Sequence, residues 1–477
     1  MNLKKQNVQL EVLGIVVMTK LNLNEKIFKA YDIRGVYDSQ LNSEVAKAIA
    51  IALSEIYPNE KKIIVGRDGR LSSEELSKSL VEGFISMGID IIDIGLVPTP
   101  LLYYAVEEFK SSAGIMVTGS HNPKEYNGFK MIMNGAPISG SEIKEIYNVC
   151  KNQKGNLTLK NGDIISSDIQ KKYLSDVLSK IQIKKKLKIA IDAGNGAAGP
   201  TAIELYNKLG CEVIPLYCDI DGNFPNHHPN PSEESNLEDL KTAVLKNKCD
   251  LGLAFDGDGD RCLIVDDCGN SLWPDKQMMI FSTSILKHHP NAKIIYDVKS
   301  SNNLHKIIEE NSGIPLICRT GHSFIKKKMK EEKAILGGEM SGHIFFKDKW
   351  FGFDDGIYAG ARMIEIISEI SETSSQFFGK LPNSFSTPEI NIPVSEEGEQ
   401  HKIIELFSAK CNFEGARISK IDGVRADYSF GWGIIRASNT TPNIVARFEA
   451  NTHKELSVIK NNFYNQLKKI SPDLNYE

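Results

Sequence analysis

The sequence lacks an excess of positive charge, a paired cysteine motif and a long apolar run. Lys and Arg number 57 against 61 Asp and Glu, so the net charge is −4, which gives no general attraction to nucleic acid or an acidic membrane. The eight cysteines form no CxxC pair, which is typical of reduced thiols. The apolar run from Val12 to Met18 is far shorter than the ~20 residues of a membrane span. We expect a cytoplasmic protein that binds neither nucleic acid nor membrane.

The chain is long enough for several hydrophobic cores. Its 477 residues predict roughly three domains at about 150 residues each. Hydrophobic residues make up 41% and charged residues 25%, both near the averages of globular proteins. Met18 offers a more ordinary start, and no A-x-A cleavage site follows the apolar run, which argues against a signal peptide. We therefore expect residues 1–17 to be a dispensable extension.

A strand–helix pattern occurs three times. From Lys61 to Asn122, apolar strands alternate with amphipathic helices, and the same order returns from Leu187 and from Lys293. Such alternation indicates parallel βαβ units. After about Leu381 the pattern changes to a helix near Lys402, the strands WGIIRAS and NIVARFEA, and a helix from Thr452. The sequence thus predicts an α/β protein with three related α/β units and a C-terminal α+β domain, with domains at 18–165, 166–268, 269–381 and 382–477.

The last predicted strand of each unit ends in an unusual loop. The three loops are TGSHNPKEYNGFK at Thr118 to Lys130, DGDGDR at Asp256 to Arg261, and GEMSGH at Gly338 to His343. In parallel sheets, ligands bind beyond the carboxyl ends of the strands. We therefore expect the three loops to converge on one central cleft between the domains.

The second loop brings three carboxylates into one turn. Asp256, Asp258 and Asp260 are separated by single glycines directly after an apolar strand. Hard oxygen ligands at this density favour Mg²⁺ or a similar cation, with open positions for water or a substrate phosphate. An EF-hand also begins D-x-D-x-D, but here Arg261 stands where its glycine should be, and Cys262 to Val265 is typical of a strand. The loop predicts a magnesium site instead of a calcium sensor.

The first loop contains a serine at a strand end. Ser120 is a poor nucleophile unless a base lies beside it. His121 is adjacent in sequence, but its side chain is expected to point away from Ser120. Taken alone, the loop could equally be structural. Combined with a metal loop at the equivalent strand end of the next unit, phosphoryl chemistry on Ser120 is the better interpretation.

The third loop alternates polar and small residues. In an extended conformation Glu339, Ser341 and His343 would all point the same way. Such a row could hydrogen-bond neighbouring sugar hydroxyls, although an ordinary polar loop face stays open as an alternative.

The motif RASNTTP in the C-terminal domain combines a guanidinium with hydroxyls and turn amides, a composition that suits a phosphate group. On its own the motif is weak evidence for phosphate binding, since hydroxyl-rich turns are common. Its candidate residues are Arg436, Ser438, Asn439 and Thr440.

One motif points to a different function. Gly194, Gly196 and Gly199 spell GxGxxG after a strand and before a helix, and Asp219 lies 20 residues beyond Gly199. This spacing matches a dinucleotide-binding fingerprint, which would make the chain a nicotinamide-dependent dehydrogenase. Tight βα turns also favour glycine, and the motif explains neither the serine loop nor the aspartate loop. We expect a structural role and no NAD(H) binding.

Five motifs together resemble one family. KAYDIRG at Lys29 to Gly35, TGSHNP, DGDGDR, GEMSGH with the following KWFGFDDG, and RASNTTP occur in the order found in the α-D-phosphohexomutases. The resemblance covers nearly the whole chain and is strongest to the bacterial bifunctional phosphomannomutase/phosphoglucomutase branch, because the family's phosphoglucosamine mutases typically carry GEQSGH. It implies four domains around a central cleft, a phosphorylated serine, Mg²⁺, a sugar-binding loop and a phosphate-binding loop.

The resemblance also implies a role for each matching residue. The expected phosphoserine and ligands of one Mg²⁺ are Ser120, Asp256, Asp258 and Asp260. The residues expected to hold the sugar hydroxyls at carbons 3 and 4 are Glu339 and Ser341. The residues expected to grip the non-reacting phosphate are Arg436, Ser438, Asn439 and Thr440. Further cleft positions are Tyr31, Arg34, Lys130, Arg261, Lys299, His322 and His343. We expect His343 to be the general base, with Lys130 and Arg34 as alternatives.

The implied reaction interconverts hexose 1-phosphates and hexose 6-phosphates of mannose and glucose. Phosphoserine donates its phosphoryl group, the 1,6-bisphosphate turns over without leaving, and the serine recovers the other group. Hexose 1,6-bisphosphate is the expected activator, and the protein is expected to be a monomer or weak homodimer. A phosphatase that uses the same serine and metal is the alternative, and it would release inorganic phosphate.

Overall fold

The computed structural model describes residues 23–152, 162–396, 398–438 and 441–474. These residues form two compact units. Unit 1 comprises the chain up to Leu96 with Ala105–Gly119 and Lys124–Asp168, and unit 2 comprises Val97–Tyr104, Ser120–Pro123 and the chain from Ile169 onward. The predicted extension, residues 1–17, lies outside the described residues.

Sheet 1 belongs to unit 1. Its strand order is β1-β5-β4-β2-β3-β7, with β6 paired to β5. Strands β2, β3, β4 and β7 run parallel, whereas β5 is antiparallel to β4 and to β1. The elements of this part of the chain are β1 (Ile33–Val36), α1 (Ser43–Ile56), β2 (Lys62–Arg67), α2 (Ser73–Ser86), β3 (Asp90–Leu96), α3 (Thr99–Glu108), β4 (Gly114–Val117), β5 (Tyr126–Met133), β6 (Ala136–Pro137), α4 (Ser141–Asn152) and β7 (Ile164–Ser166).

Sheet 2 belongs to unit 2 and has the order β12-β11-β10-β8-β9. The whole of β10 is buried, as expected for a central strand covered on both faces. Helix α7 covers one face, where Leu240 and Val244 pack with Ala190, Leu263 and Val265. The elements are α5 (Gln170–Lys180), β8 (Lys188–Asp192), α6 (Gly199–Lys208), β9 (Glu212–Leu216), α7 (Glu238–Asn247), β10 (Leu251–Phe255), β11 (Cys262–Asp266) and β12 (Ser271–Leu272).

Sheet 3 follows in unit 2 with the order β14-β13-β15-β16. Its helix α9 begins after Ser301, whose hydroxyl accepts a hydrogen bond from the Asn303 amide at 3.1 Å, a common N-cap. The elements are α8 (Pro274–Leu286), β13 (Lys293–Asp297), α9 (Asn302–Glu310), β14 (Ile314–Cys318), α10 (His322–Glu332), β15 (Leu336–Gly338), β16 (Ile344–Phe346), α11 (Gly356–Glu369) and α12 (Ser374–Phe378).

Sheet 4 is antiparallel and also belongs to unit 2. Its order is β17-β22-β21-β20-β19, with β18 paired to β22. Thr452 caps its last helix by accepting from the Glu455 amide at 3.2 Å, which confirms the predicted helix start. The elements are β17 (Phe385–Ser386), β18 (Ile390–Pro393), α13 (Glu399–Lys410), β19 (Arg417–Ser419), β20 (Val424–Tyr428), β21 (Gly431–Ala437), β22 (Asn443–Ala450) and α14 (His453–Lys468).

Sheets 1 to 3 share one arrangement, which confirms the three related α/β units. In each, the third parallel strand lies beside the first, as the orders β4-β2-β3, β10-β8-β9 and β15-β13-β14 show. An antiparallel strand then follows, namely β5, β11 or β16. The sheets are therefore mixed, and only β11 was predicted among these returning strands. Each predicted loop closes the turn between a parallel strand and its antiparallel neighbour.

Two sequence expectations concern the chain as a whole. All eight cysteines carry free thiols, as their irregular spacing predicts. Among the helices that the structure describes, none combines the length and apolar character that a bilayer span requires. The domain boundaries near 165, 268 and 381 stay predictions.

Candidate active site

The DGDGDR loop links β10 to β11 at the carboxyl end of a buried parallel strand. Asp256, Asp258 and Asp260 are all fully buried, and one oxygen from each lies within 4.8 Å of the others. Buried carboxylates so close together repel one another unless a cation or donors compensate them. A converging set of hard oxygen atoms is the ligand type that Mg²⁺ prefers. The residues present therefore fit a divalent cation.

Ser120 lies beside this loop. Its Oγ donates a hydrogen bond to Asp256 Oδ2 at 3.0 Å, and the residue is only 1% exposed. A Cβ at Gly257 would come within 2.4 Å of the Ser120 carbonyl oxygen, so this close approach requires glycine. The serine hydroxyl and the first aspartate are thus in direct contact.

The expectation that His121 points away from Ser120 is wrong. Its Nδ1 lies 3.3 Å from Ser120 Oγ. Ser120 has φ of 49°, which is the left-handed region that non-glycine residues rarely adopt. This turn brings two consecutive side chains to the same side of the chain. Such strain is typical of functional loops and costs about 1–3 kcal/mol.

Arg261 connects the aspartate loop to the GEMSGH loop. Its backbone amide donates to Asp256 Oδ1 at 3.2 Å, and its Nε lies 3.6 Å from Asp256 Oδ2. The same Nε donates to His343 Nε2 at 3.0 Å. Two residues that were predicted from separate motifs therefore meet.

His343 is held from both ring nitrogens. Its Nδ1 lies 3.0 Å from Asp354 Oδ2 and 3.5 Å from Asp260 Oδ1. Nε2 accepts a hydrogen bond from Arg261 Nε, so the Nδ1 side of the ring faces the two carboxylates. His322 stacks on this ring at 5.4 Å between centroids. The two predicted histidines are thus neighbours.

Asp354 is a buried anchor to which the sequence analysis gave no role, although it belongs to the KWFGFDDG motif. Lys326 Nζ lies 2.8 Å from its Oδ1, and His322 Nδ1 lies 3.6 Å from its Oδ2. Burial alone would raise the pKa of Asp354, but the Lys326 charge and the hydrogen bond from His343 hold that pKa well below its usual value. Asp260, His343 and Asp354 could also bind a metal by spacing, but the Lys326 ammonium already neutralises this carboxylate.

The GEMSGH loop is a turn, so the expectation of an extended row is wrong. The Gly342 amide donates to the Glu339 carbonyl at 3.0 Å, which closes the turn and separates His343 from the other two side chains. Ser341 Oγ donates to Glu339 Oε2 at 3.4 Å, and the Gly321 amide donates to Glu339 Oε1. Burial raises the pKa of Glu339. Glu339 and Ser341 are together, whereas His343 faces the aspartate loop.

Two predicted site cations, the cleft residue Lys299 and the phosphate-binding residue Arg436, are each held by a carboxylate. Lys299 Nζ donates to Glu389 Oε2 at 2.6 Å, and Arg436 Nε donates to Asp422 Oδ2 at 2.9 Å. Burial alone would raise the pKa of Glu389, but the Lys299 charge and hydrogen bond together with the Arg436 charge lower it. Both cations are therefore oriented and neutralised by the protein itself.

The RASNTTP turn is described only in part. Ser438 is 6% exposed, and its Oγ lies 2.9 Å from Thr441 Oγ1. Asn439 and Thr440, two of the predicted phosphate-binding residues, lie outside the described residues. Their role stays a prediction.

Three predicted site residues belong to unit 1. Arg34 is buried in β1, with its Nη2 2.7 Å from Asp32 Oδ2. Lys130 is buried in β5 at 3% exposure, and Tyr31 is half-buried just before β1. Their roles at the same reaction centre as Ser120 stay predictions.

The chain matches four domain models of one family in sequence order. They are the phosphoglucomutase/phosphomannomutase alpha/beta/alpha domains I, II and III at residues 25–156, 171–269 and 273–385, and the C-terminal domain at residues 389–466. This chain belongs to the phosphoglucomutase/phosphomannomutase family. The resemblance inferred from five short motifs is thereby confirmed.

The relatives of this phosphoglucomutase/phosphomannomutase family member include bacterial bifunctional enzymes. The chain is 48% identical to a phosphomannomutase/phosphoglucomutase from Pseudomonas syringae over 95% of this chain and 97% of the relative. It is 46% identical to a phosphoglucomutase from Neisseria meningitidis over 93% and 96%. A crystal structure of a family protein from Burkholderia thailandensis has a TM-score of 0.89 at 42% identity and covers 95% and 99%. These likenesses support the bifunctional branch.

Sequence reasoning missed a buried carboxylate that anchors the serine loop of this family member. In unit 1, Asp68 Oδ2 accepts from Thr118 Oγ1 at 2.8 Å and from the Gly119 amide at 3.2 Å. Arg70 Nε lies 3.3 Å from the same oxygen, and its Nη1 donates to the Tyr126 carbonyl at 2.9 Å. The available signal was the charged sequence GRDGR at the carboxyl end of the apolar strand IIVG.

The GxGxxG motif is explained by packing against the aspartate loop. A Cβ at Gly196 would come within 2.7 Å of the Gly257 carbonyl oxygen. The neighbouring Ala197 amide donates to that same oxygen at 2.9 Å. Gly257 stands between the first two aspartates, so the motif supports the backbone of the candidate metal site in this family member.

We expect Gly196→Ala to destabilise the protein by about 1–3 kcal/mol, because the added methyl overpacks against Gly257. Mutase turnover should fall as well, since the aspartate loop must shift. Thermal unfolding and turnover measure both effects. Gly379→Ala is the milder control, because a Cβ there would lie 3.1 Å from the Ser375 carbonyl oxygen, against 2.7 Å from the Gly257 oxygen at Gly196. Saturable NAD(H) binding by the unaltered protein, lost in Gly196→Ala, would restore the dinucleotide hypothesis.

Proposed function

We propose that this chain interconverts the 1-phosphates and 6-phosphates of mannose and glucose through a phosphoserine and a hexose 1,6-bisphosphate. The observation that carries this proposal is the 3.0 Å hydrogen bond from Ser120 Oγ to Asp256 Oδ2. It joins a hydroxyl that can carry a phosphoryl group to a loop of three buried carboxylates. Family membership and the curated names of the relatives support the same reaction.

In the proposed cycle, phospho-Ser120 donates its phosphoryl group to a hydroxyl of the hexose phosphate, and the O–P bond to serine breaks as the bond to the sugar forms. The bisphosphate then reverses its orientation, and Ser120 accepts the other phosphoryl group. Uncatalysed phosphate-monoester cleavage is among the slowest known reactions. Positioning supplies about 7–11 kcal/mol of the barrier reduction, so charge stabilisation must supply much of the rest.

We assign the cation site to Asp256, Asp258 and Asp260, with Ser120 as the fourth protein ligand. A bound Mg²⁺ would supply positive charge for the oxygens of the transferring phosphoryl group. Arg261 supplies a guanidinium at this site, since its amide and side chain both approach Asp256. It is well placed to neutralise charge that develops during transfer.

His343 is our candidate for the group that accepts the proton of the attacking sugar hydroxyl. Because Nδ1 faces Asp354 Oδ2 at 3.0 Å, we assign the role of base to Nε2. That atom accepts from Arg261 Nε in the structure, so Arg261 must turn toward a phosphate before His343 can take a proton. Lys130 and Arg34 remain alternatives for this role.

The sugar-binding proposal accounts for two substrates. Glucose and mannose differ at carbon 2, so a loop in which Glu339 and Ser341 hold the hydroxyls at carbons 3 and 4 would accept both. The Neisseria relative is named a phosphoglucomutase, whereas the Pseudomonas relative carries both names. Activity on mannose phosphates is therefore the more demanding part of the proposal.

The remaining parts of the proposal are one Mg²⁺ per chain, activation by hexose 1,6-bisphosphate, a monomer or weak homodimer, and a cytoplasmic location. The near-neutral charge balance, the free thiols and the sugar phosphate substrates of the family support them.

A coupled assay tests the function directly. Glucose, mannose and glucosamine 1-phosphates are compared with glucose 1,6-bisphosphate present, and inorganic phosphate is measured in parallel. We expect glucose and mannose 6-phosphates to form with almost no phosphate release. Release of phosphate in proportion to substrate would favour the phosphatase alternative, and a preference for glucosamine would refute the assignment to the bifunctional branch.

A further inference from the structure

Thr99 touches the middle aspartate of the DGDGDR loop at two points. Its Oγ1 donates to Asp258 Oδ2 at 2.5 Å, and its backbone amide donates to the Asp258 carbonyl at 2.8 Å. Thr99 is fully buried, so no water competes for either bond. One residue thus fixes both the side chain and the main chain of a candidate metal ligand.

The sequence around Thr99 explains why its backbone amide is available. Thr99 is the first residue of α3, and the first amides of a helix have no partner within the helix. Pro98 and Pro100 flank it, and prolines restrict the backbone on both sides. The Pro98 Cβ lies 3.2 Å from the position of a Cβ on Gly259. The turn is therefore packed directly against the loop that carries the aspartates.

The Thr99 hydroxyl constrains the orientation of the Asp258 carboxylate, and this orientation affects how the carboxylate can bind a cation. A carboxylate oxygen that accepts from Thr99 holds the group in one orientation, and one oxygen of this carboxylate lies within 4.8 Å of an oxygen from each of the other two aspartates. Mg²⁺ demands near-ideal octahedral geometry and binds poorly to ligands that are badly oriented. Hydrogen-bond partners behind metal ligands typically contribute 10–100-fold to metal affinity.

We propose that Thr99 is a positioning residue for the divalent cation, acting through Asp258 without touching the cation or the sugar phosphate. This inference rests on the proposed function, because it requires that the three aspartates bind Mg²⁺. It adds a residue from the PTP sequence at 98–100 to a site otherwise assigned to the serine and aspartate loops.

The test measures Mg²⁺ affinity directly by titration calorimetry on the intact, dephosphorylated protein, with the phosphorylation state checked by intact mass. Thr99→Val keeps the size of the side chain and removes the hydroxyl, and Thr99→Ala removes it without a branched replacement. We expect the Mg²⁺ dissociation constant to rise about 10–100-fold in both variants. Thr99→Ser, which keeps the hydroxyl, should restore it to within a few-fold of the original value.

Thr201→Val is the matched control. Thr201 is also a buried threonine of unit 2, and its Oγ1 donates to Gln170 Oε1 at 3.0 Å, a group outside the metal loop. This variant should keep its Mg²⁺ affinity. A merely structural role of Thr99 would lower the melting temperature in chelator without changing affinity, whereas the proposed role also raises the Mg²⁺ concentration needed for half-maximal turnover.

Two results would overturn the positioning role of Thr99, and a third would refute the cation site. Unchanged Mg²⁺ affinity in Thr99→Val and Thr99→Ala would overturn the positioning role while the proposed function stands. If Thr99→Ser lost as much affinity as Thr99→Ala, the hydroxyl would not be the cause, and the proposal would again fail. Absence of Mg²⁺ binding by the unaltered protein, with Asp258→Asn equally silent, would refute the cation site itself.

Discussion

Replacing Ser120 by alanine is expected to lower mutase turnover at least about a thousandfold, because the enzyme then has no oxygen on which to store the phosphoryl group. Glucose 1-phosphate should still bind, since the cations Lys299 and Arg436 are held by other residues. Turnover is measured by the coupled assay, and binding by calorimetry. The intact mass of the unaltered protein, taken under turnover conditions, should show one added phosphoryl group that peptide mapping assigns to Ser120.

The control for this variant is Ser54→Ala. Ser54 is another buried serine, and its Oγ donates to the Ala50 carbonyl within α1 at 2.7 Å, so its loss removes a hydroxyl of similar environment. Turnover should persist in Ser54→Ala. Full activity in Ser120→Ala, or a phosphoryl group mapped to another residue, would refute the phosphoserine assignment.

The fold could be predicted from local patterns because its repeats are local. Apolar runs such as KIAID and DLGLAF are short, bounded by polar residues and separated by amphipathic segments, and β8 and β10 form there. The antiparallel strands β5 and β16 were missed because β5 begins inside the predicted loop from Thr118 to Lys130 and β16 directly follows the GEMSGH loop. Ile344–Phe346, for example, is only three residues long, so no period could be recognised.

The side-chain partners could not be predicted, because they come from distant parts of the chain. Asp354 meets His343 and His322 only after β15, β16 and α10 have packed together, and Thr99 is 159 positions from Asp258. Backbone conformation could not be predicted from the sequence either, where it departs from the common one. The left-handed φ of Ser120 turns the His121 side chain toward Ser120, opposite to the expected direction. No residue type in that loop predicts this conformation.

The predicted cleft residue Lys299 and the predicted phosphate-binding residue Arg436 share a feature that motif reasoning did not indicate. Lys299 pairs with Glu389 and Arg436 with Asp422, so each buried cation has a carboxylate of its own. Removing a charge from water costs several kcal/mol unless it is paired. The pairing orders both cations within the protein, and the proposed substrate phosphate would have to compete for their remaining donors.

Removal of divalent cations is expected to abolish isomerisation reversibly. Three buried carboxylates within 4.8 Å of one another leave a negative centre beside Ser120, which would repel a phosphoryl group instead of stabilising it. Dialysis against a chelator should therefore reduce turnover at least about a hundredfold, and Mg²⁺ should restore it. Turnover that survives exhaustive chelation would exclude a cation from the reaction.

Asp256→Asn tests the same metal site by changing one of its predicted ligands instead of removing the cation. Asp256 accepts from both Ser120 Oγ and the Arg261 amide, so an amide at this position loses a charge for the cation and disturbs the serine as well. We expect turnover to fall at least about a hundredfold and Mg²⁺ to bind more weakly, because a neutral ligand replaces a charged one. The exposed Asp239→Asn in α7 removes one negative charge elsewhere and should change neither quantity. Equal losses in the two variants would show that overall charge, and not the contact with Ser120, determines the effect.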